Sequence, residues 1–202
     1  VEAHELRHLW IVASPVVVSA AGHVDHEQLV ALTRTHLNGS MRSARAAPLA
    51  QVPVPGQRML ERDLEQVQLG LIARGVRARD PRWAAAELLC IALGDGCSSR
   101  LFREVRDRRG LSYSIGSTLC CYADTGSLNV DLGVEPERLG ETLEVISRVL
   151  REVRDGGLTA DELDAARQNL RASLLLGHES SAARMAYLAS MVLQLEGHLD
   201  LQ

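Results

Sequence analysis

The stretch from Leu111 to Val134 constrains the fold more than any other. Two strand-like runs, Leu111–Tyr122 and Ser127–Val134, are separated only by Ala123-Asp124-Thr125-Gly126. That turn chemistry suits a hairpin, which forces the two runs to pair antiparallel. Pro136 then opens a long helix to about Arg154, whose stripe of Leu139, Leu143, Ile146 and Leu150 must cover an apolar surface. A further strand is expected over Gln66–Gly75, with Val67, Leu69 and Leu71 on one face. Asp80-Pro81 reads as the start of a helix running to about Leu93. Thr159-Ala160-Asp161-Glu162 is a capping box opening another helix, and Ser180 or Ser181 opens a last one. This order predicts an α+β fold, a largely antiparallel sheet with helices packed on one face.

Upstream, Pro15–Ala21 reads as a buried strand ended by Gly22. Asp25 is expected to cap a helix, with Gln28 three residues on and an apolar stripe of Leu29, Leu32 and Leu37. From Asn38 to Arg58, with Pro48, Pro53 and Pro55, no periodicity survives and a linker is expected. Val16–Leu32 and Leu128–Leu143 echo each other, each a strand, then valine and an acid, then an amphipathic helix. The echo suggests duplicated halves. It also led us to expect Val16–Ala21 as an edge strand of the sheet formed by residues 66–134, within the chain or swapped between chains.

Composition removes several functions. All 22 basic residues of the 202 are arginine, so no mechanism can use a lysine amine, whether a Schiff base or a phosphate-loop lysine. A net charge of −4 argues against nucleic acid as the main partner. The longest apolar run, around Val16–Ala21, is far too short to cross a membrane. Val1-Glu2-Ala3-His4-Glu5 lacks the basic start and apolar core of a signal peptide, and the missing initiator methionine predicts a chain that begins partway through a longer protein. Cys90, Cys97, Cys120 and Cys121 form no Cys-x-x-Cys pair. They read as buried thiols in a reducing compartment, hence a cytoplasmic protein.

The most distinctive segment is Gly94–Ser117, GDGCSSRLFREVRDRRGLSYSIGS. On its helix Leu101, Phe102 and Val105 face the core, Arg106 sits at the border of that stripe, and Arg100 and Arg103 fall on the solvated side. Gly110 stops the helix and Tyr113 lies near the start of a strand. Helix, turn and strand can thus converge a guanidinium and a phenol on one spot, both able to donate hydrogen bonds to a carbonyl. On these residues alone, a solvated arginine face and a packing tyrosine remain the alternative.

Leu93, Gly94, Gly96, Ser98, Ser99, Arg100, Leu101, Arg106, Gly110 and Tyr113 closely resemble the second domain of the pitrilysin/insulinase-type zinc metallopeptidases, the inverzincins, including bacterial processing-peptidase relatives. The resemblance extends over nearly the whole chain. VVVSAAGHVDHEQLV is similar to the strand and helix closing the family's first domain, and GHESSAARMAYLA to a late helix of its second. Asp95 departs from the family's usual glycine, and His178 stands where a less polar residue is common. The resemblance implies a first domain holding zinc through His-x-x-Glu-His and a distal glutamate, with the inner glutamate as base. The second domain closes over it, and Arg106 and Tyr113 would hold the peptide carbonyl and its oxyanion, supported by Gly94, Gly96, Ser98, Ser99, Arg100 and Gly110.

No His-x-x-Glu-His occurs here. The histidines are His4, His8, His23, His26, His36, His178 and His198, and neither His4 with His8 nor His23 with His26 has the family's arrangement. We therefore expect no catalytic residue and no metal ligand in this chain, which alone would be inactive. Zinc would reside elsewhere in the full-length protein or in a partner. The expected organisation is a closing strand–helix unit of the first domain over 1–39, a linker over 40–60, and a C-terminally incomplete second domain over 61–202. The chain then reads as the C-terminal part of a zinc metalloendopeptidase acting on peptides, a homo-oligomer among its possible states. The alternatives are a non-catalytic subunit that serves a zinc-bearing partner, and a scaffold or binding module taking an anionic ligand through Arg100–Arg109.

Overall fold

A computed structural model describes residues 16–37 and 55–195. The chain divides into two compact units, residues 50–174 and residues 1–49 with 175–202. The larger unit carries the sheet. Strand β1 is Val67–Arg74, β2 is Ile115–Cys121 and β3 is Gly126–Val134, in the order β1-β3-β2. Both pairings are antiparallel, with Leu69 and Ile115 each opposite Leu132. Because side chains alternate across a strand, this register puts Val67, Leu69, Leu71, Ile115, Val130, Leu132 and Val134 on one face. The opposite face carries Gln68, Gly70, Thr118, Asn129 and Asp131. The antiparallel α+β architecture expected from the hairpin is the one found.

Helices cover the apolar face. Preceding helices take the labels α1 (His26–His36, in the smaller unit) and α2 (Trp83–Gly94). After β3 a turn of 3-10 helix, Pro136–Arg138, leads into α3 (Leu139–Gly156), followed by α4 (Ala160–Glu179) and α5 (Ser181–Leu195). The main core joins Leu93, Leu101, Val105, Leu111 and Ile115 to Val130, Leu132, Val134, Val145, Ile146 and Val149. A second cluster of Ile91, Ala92 and Ala166 seats α4 against α2. The Thr159 box is reciprocal: the Thr159 amide donates to Glu162 Oε2 at 2.9 Å, and the Glu162 amide donates to Thr159 Oγ1 at 3.2 Å. Asp25 Oδ1 accepts the Gln28 amide at 2.8 Å, and Ser180 Oγ accepts that of Ala183 at 3.4 Å, as the caps predicted.

Several expectations need correction. Val16–Ala21 forms no strand and is absent from the three-stranded sheet, so the expected edge pairing is not made within the chain. Its β-branched run has the propensity for a strand but finds no backbone partner among the described residues, and propensity without a partner leaves the ladder unmade. The echo between the two halves therefore holds for the helices and not for the strands. In α1, Leu32 and Leu37 stay exposed, and Leu29 with Val30 is the half-buried side. The linker expected over 40–60 lies mostly outside the described residues. Leu111–Ser114 is not strand: Leu111 and Ser112 are buried in a turn that precedes β2. Cys97 is exposed, whereas Cys90 is buried and Cys120 and Cys121 are half-buried; all four are free.

Candidate functional site

Gly94 sets the geometry of this region. A β-carbon there would stand 2.6 Å from Ser117 Oγ and 2.7 Å from its amide nitrogen, so only glycine lets the end of α2 meet β2. Ser117 Oγ ties the same junction by donating to the Cys90 carbonyl at 2.7 Å. The chain then turns through Gly96, at φ +87°, and the Ser99 amide donates back to the Gly96 carbonyl at 3.2 Å. Ser98 makes no capping hydrogen bond among the described residues, and buried Ser99 Oγ has no partner there either.

The helix that follows is wound wide. Phe102–Asp107 is π-helical, with the Arg108 amide donating to the Arg103 carbonyl at 3.0 Å. Leu101 and Val105 anchor it to the core at full burial. Gly110 ends it at φ +58°, a conformation a β-carbon would strain, and the Leu111 amide turns back onto the Val105 carbonyl at 2.9 Å. Arg138 Nη1 donates to the Gly110 carbonyl at 2.7 Å. Ser112 Oγ lies 2.7 Å from the Gly133 carbonyl and 2.8 Å from that of Ser114, and its single proton serves one of them at a time. The turn carrying Tyr113 is thus tied to β3 by Ser112 before it and by the pairing of Ile115 with Leu132 after it.

This scaffold brings Arg106 and Tyr113 together. The Arg106 guanidinium carbon sits 4.5 Å from the centroid of the Tyr113 ring and 4.7 Å from that of Phe102. Two aromatic rings hold the cation at an exposed site, each contact worth about 0.5–1 kcal/mol. Among the described residues no carboxylate pairs with Arg106, so its N–H donors stay available. Tyr113 is 79% exposed. Both line an open groove of about 280 Å³ with Gln66, Gly110, Leu111, Ser112, Gly133, Val134 and Glu135. The spot can receive an electron-rich oxygen beside an extended chain.

The neighbouring arginines are engaged elsewhere, which corrects the placing of Arg100 on the solvated side. Arg100 Nε donates to Glu162 Oε1 at 2.7 Å, its Nη2 reaches Glu162 Oε2, and both side chains are only 15% exposed. That hydrogen bond, reinforced by the Thr159 amide, outweighs burial and holds the Glu162 carboxyl at about 2. Glu104 gathers Arg108, Arg109 (2.6 Å) and Arg148 (3.4 Å) around one carboxylate. Burial pushes the Glu104 carboxyl up, but the Arg109 hydrogen bond and the three cations win and hold it below its usual range. The π-helical segment is clamped at both ends. The Phe102–Arg106 contact and the Glu104–Arg108 pair had a readable sign in their four-residue spacing; the Arg148 and Glu162 anchors had none, because both lie on elements far along the chain.

Residues 2–170 match the family described as "Peptidase M16 inactive domain". The chain belongs to that family. An uncharacterized zinc protease of Mycobacterium tuberculosis (strain ATCC 25618 / H37Rv) is 40% identical over 196 residues, covering 93% of this chain and 44% of that protein. One of Bacillus subtilis (strain 168) is 29% identical over 181 residues, 89% of this chain and 44% of the relative. This M16 inactive domain therefore spans less than half the length of the curated relatives it matches. The crystal structure of a peptidase M16 inactive domain from Pseudomonas fluorescens superposes with a TM-score of 0.60 at 31% identity, over 65% of this chain and 32% of that one. A protease from Helicobacter pylori shares the fold, with a TM-score of 0.70 at 22% identity over 87% of this chain and 45% of the other.

The relatives' names bring zinc into question here, and the donor set answers it. Among the described residues no three of His, Cys, Asp and Glu come together to hold a metal ion. The described residues therefore offer no donor set that fits zinc. Nor is any helix among the described residues long and apolar enough to cross a membrane.

Proposed function

We propose that this domain is the peptide-clamping half of a zinc-dependent endopeptidase, in which Arg106 and Tyr113 donate hydrogen bonds to a substrate carbonyl near the cleaved bond. One observation carries the reading: a guanidinium braced by two rings, paired with no carboxylate among the described residues, stands beside a phenol in an open groove. A charged donor and a neutral donor at one oxygen favour the oxyanion over the ground-state carbonyl, an effect worth about 3 kcal/mol for comparable donors. Arg100, Arg108 and Arg109 already have carboxylate partners, which weighs against an anion-binding scaffold built on Arg100–Arg109. The domain boundaries proposed from the sequence accompany this reading, with residues 1–39 closing a first domain and zinc held there or by a partner subunit. Four free cysteines favour a reducing compartment, the cytoplasm.

The test is zinc-dependent peptide cleavage by the full-length gene product, with and without its neighbouring gene product. Arg106→Ala should lower kcat/KM roughly a hundredfold and Tyr113→Phe about tenfold, with unfolding midpoints unchanged. Unchanged proteolysis in both variants would sink the clamp. Activity that appears only when the neighbouring product is added would identify the non-catalytic-subunit arrangement.

A further inference from the structure

Arg106 and Tyr113 serve one half of a peptide's needs. An extended backbone alternates carbonyl oxygens with N–H groups, and a guanidinium only donates. The N–H beside the clamped carbonyl needs an acceptor. Besides the hydroxyls of Ser112 and Tyr113, two side chains with acceptor oxygens line the groove, Glu135 and Gln66. Glu135 is 64% exposed and faces Arg138 Nε at 3.5 Å. Gln66 is exposed too, but has no charged partner among the described residues.

The opening that admits Gln66 is Gly133. A β-carbon at 133 would stand 2.9 Å from Gln66 Oε1 and 3.2 Å from Gln68 Nε2, so the two carboxamides lie over bare backbone. Gln68 is paired in register with Gly133 across β1 and β3. Gln66, two residues earlier, falls on the same face, the one turned away from Val67 and Leu69. Among the described residues the Gln66 carboxamide makes no hydrogen bond, so its acceptor and both donors are unspent. A planar group carrying both functions is what a peptide unit pairs with.

Resting on the clamp reading above, we propose that Gln66 is a further peptide-binding residue of this groove: its Oε1 accepts the backbone N–H next to the carbonyl held by Arg106 and Tyr113. Gly133 leaves open the space that the carboxamide occupies. The contact is formed equally in the bound substrate and during cleavage, so it acts on KM and leaves kcat alone.

The experiment uses the full-length protein, a peptide substrate, and a set of its depsipeptides in which one non-scissile amide at a time becomes an ester and loses its N–H. Gln66→Leu should raise KM roughly three- to tenfold on the all-amide peptide, as one hydrogen bond would, with kcat within about twofold. Gly133→Ala should do the same, because its β-carbon meets only the ends of flexible side chains and displaces them without disturbing the sheet. One ester position should weaken binding to the wild type and cost nothing further in Gln66→Leu. If both variants keep the wild-type KM while Arg106→Ala has lost activity, Gln66 is excluded and the clamp stands. If Arg106→Ala and Tyr113→Phe also retain activity, the clamp itself has failed. A raised KM with the ester penalty intact in Gln66→Leu would overturn the contact as well, since the effect would then be structural.

Discussion

Replacing Glu162 by glutamine removes one charge and little else. Glutamine keeps the reach of the side chain and can serve in the reciprocal cap, so the Thr159 amide retains an acceptor. What is lost is the two-point contact with Arg100. The carboxyl sits at about 2 where 4.5 is ordinary, chiefly through the Arg100 hydrogen bond. At about 1.4 kcal/mol per pH unit that gap sets an upper bound of roughly 3.5 kcal/mol. Each side chain keeps 15% exposure. Solvent screening therefore reduces the expected cost to about 2 kcal/mol, above an exposed ion pair and below a fully buried one. The sign follows from the direction. A depressed carboxyl stabilises the fold fully above pH 4.5, and that share fades as the pH falls toward about 2. Urea unfolding of wild type and Glu162→Gln, followed by far-ultraviolet circular dichroism, should show the full gap at neutral pH and less than half of it near pH 2.5. A cost that stays constant from neutral pH to pH 3 would refute the assignment of that stability to the Arg100–Glu162 pair.

Gly94→Ala should destabilise the fold by more than about 2 kcal/mol in the same urea assay, since its β-carbon runs into the Ser117 backbone as well as its hydroxyl, whereas Gly116→Ala, with 3.8 Å to its nearest atom, should cost no more than about 1. Leu101→Ala empties a fully buried site between the sheet and α3 and should cost about 3–4 kcal/mol, read as a drop in the urea midpoint at constant slope.

Most of the larger unit could be read from its residues because the cues there were local. The capping box at Thr159, the hairpin signature at Ala123–Gly126 and the alternation of Val67, Leu69 and Leu71 each involve neighbours within a few positions. They survive folding for that reason. Val16–Ala21 failed because a strand is a relation between two segments, and propensity describes one. Arg100 was misplaced for a similar cause: helical periodicity put it on the solvated side, and a carboxylate 62 positions later covered it. The convergence of Arg106 with Tyr113 was legible as a possibility from helix, glycine and strand in sequence. Its detail was not, since the two rings against the guanidinium depend on a winding no periodicity announces. Gln66 showed in the sequence only as the polar alternate of an apolar strand, and its place beside the groove comes from the register of β1 against β3.

The wide winding over Phe102–Asp107 has a consequence for anyone comparing relatives residue by residue. A π turn accommodates one more residue than an α turn of the same span, and acts on the chain as a built-in insertion. A relative lacking that residue would match Leu101 and Val105 in its core and still fall out of step before Gly110. The seven positions from Arg106 to Tyr113 measure the loop beyond the helix as well as the helix itself. Deleting the extra residue between 102 and 107 would restore ordinary α pitch and keep the chain beyond it in phase, whereas the same deletion in an ordinary α-helix would turn everything after the cut by about 100°. An alignment would show a gap there, while the arginine and the tyrosine kept their directions.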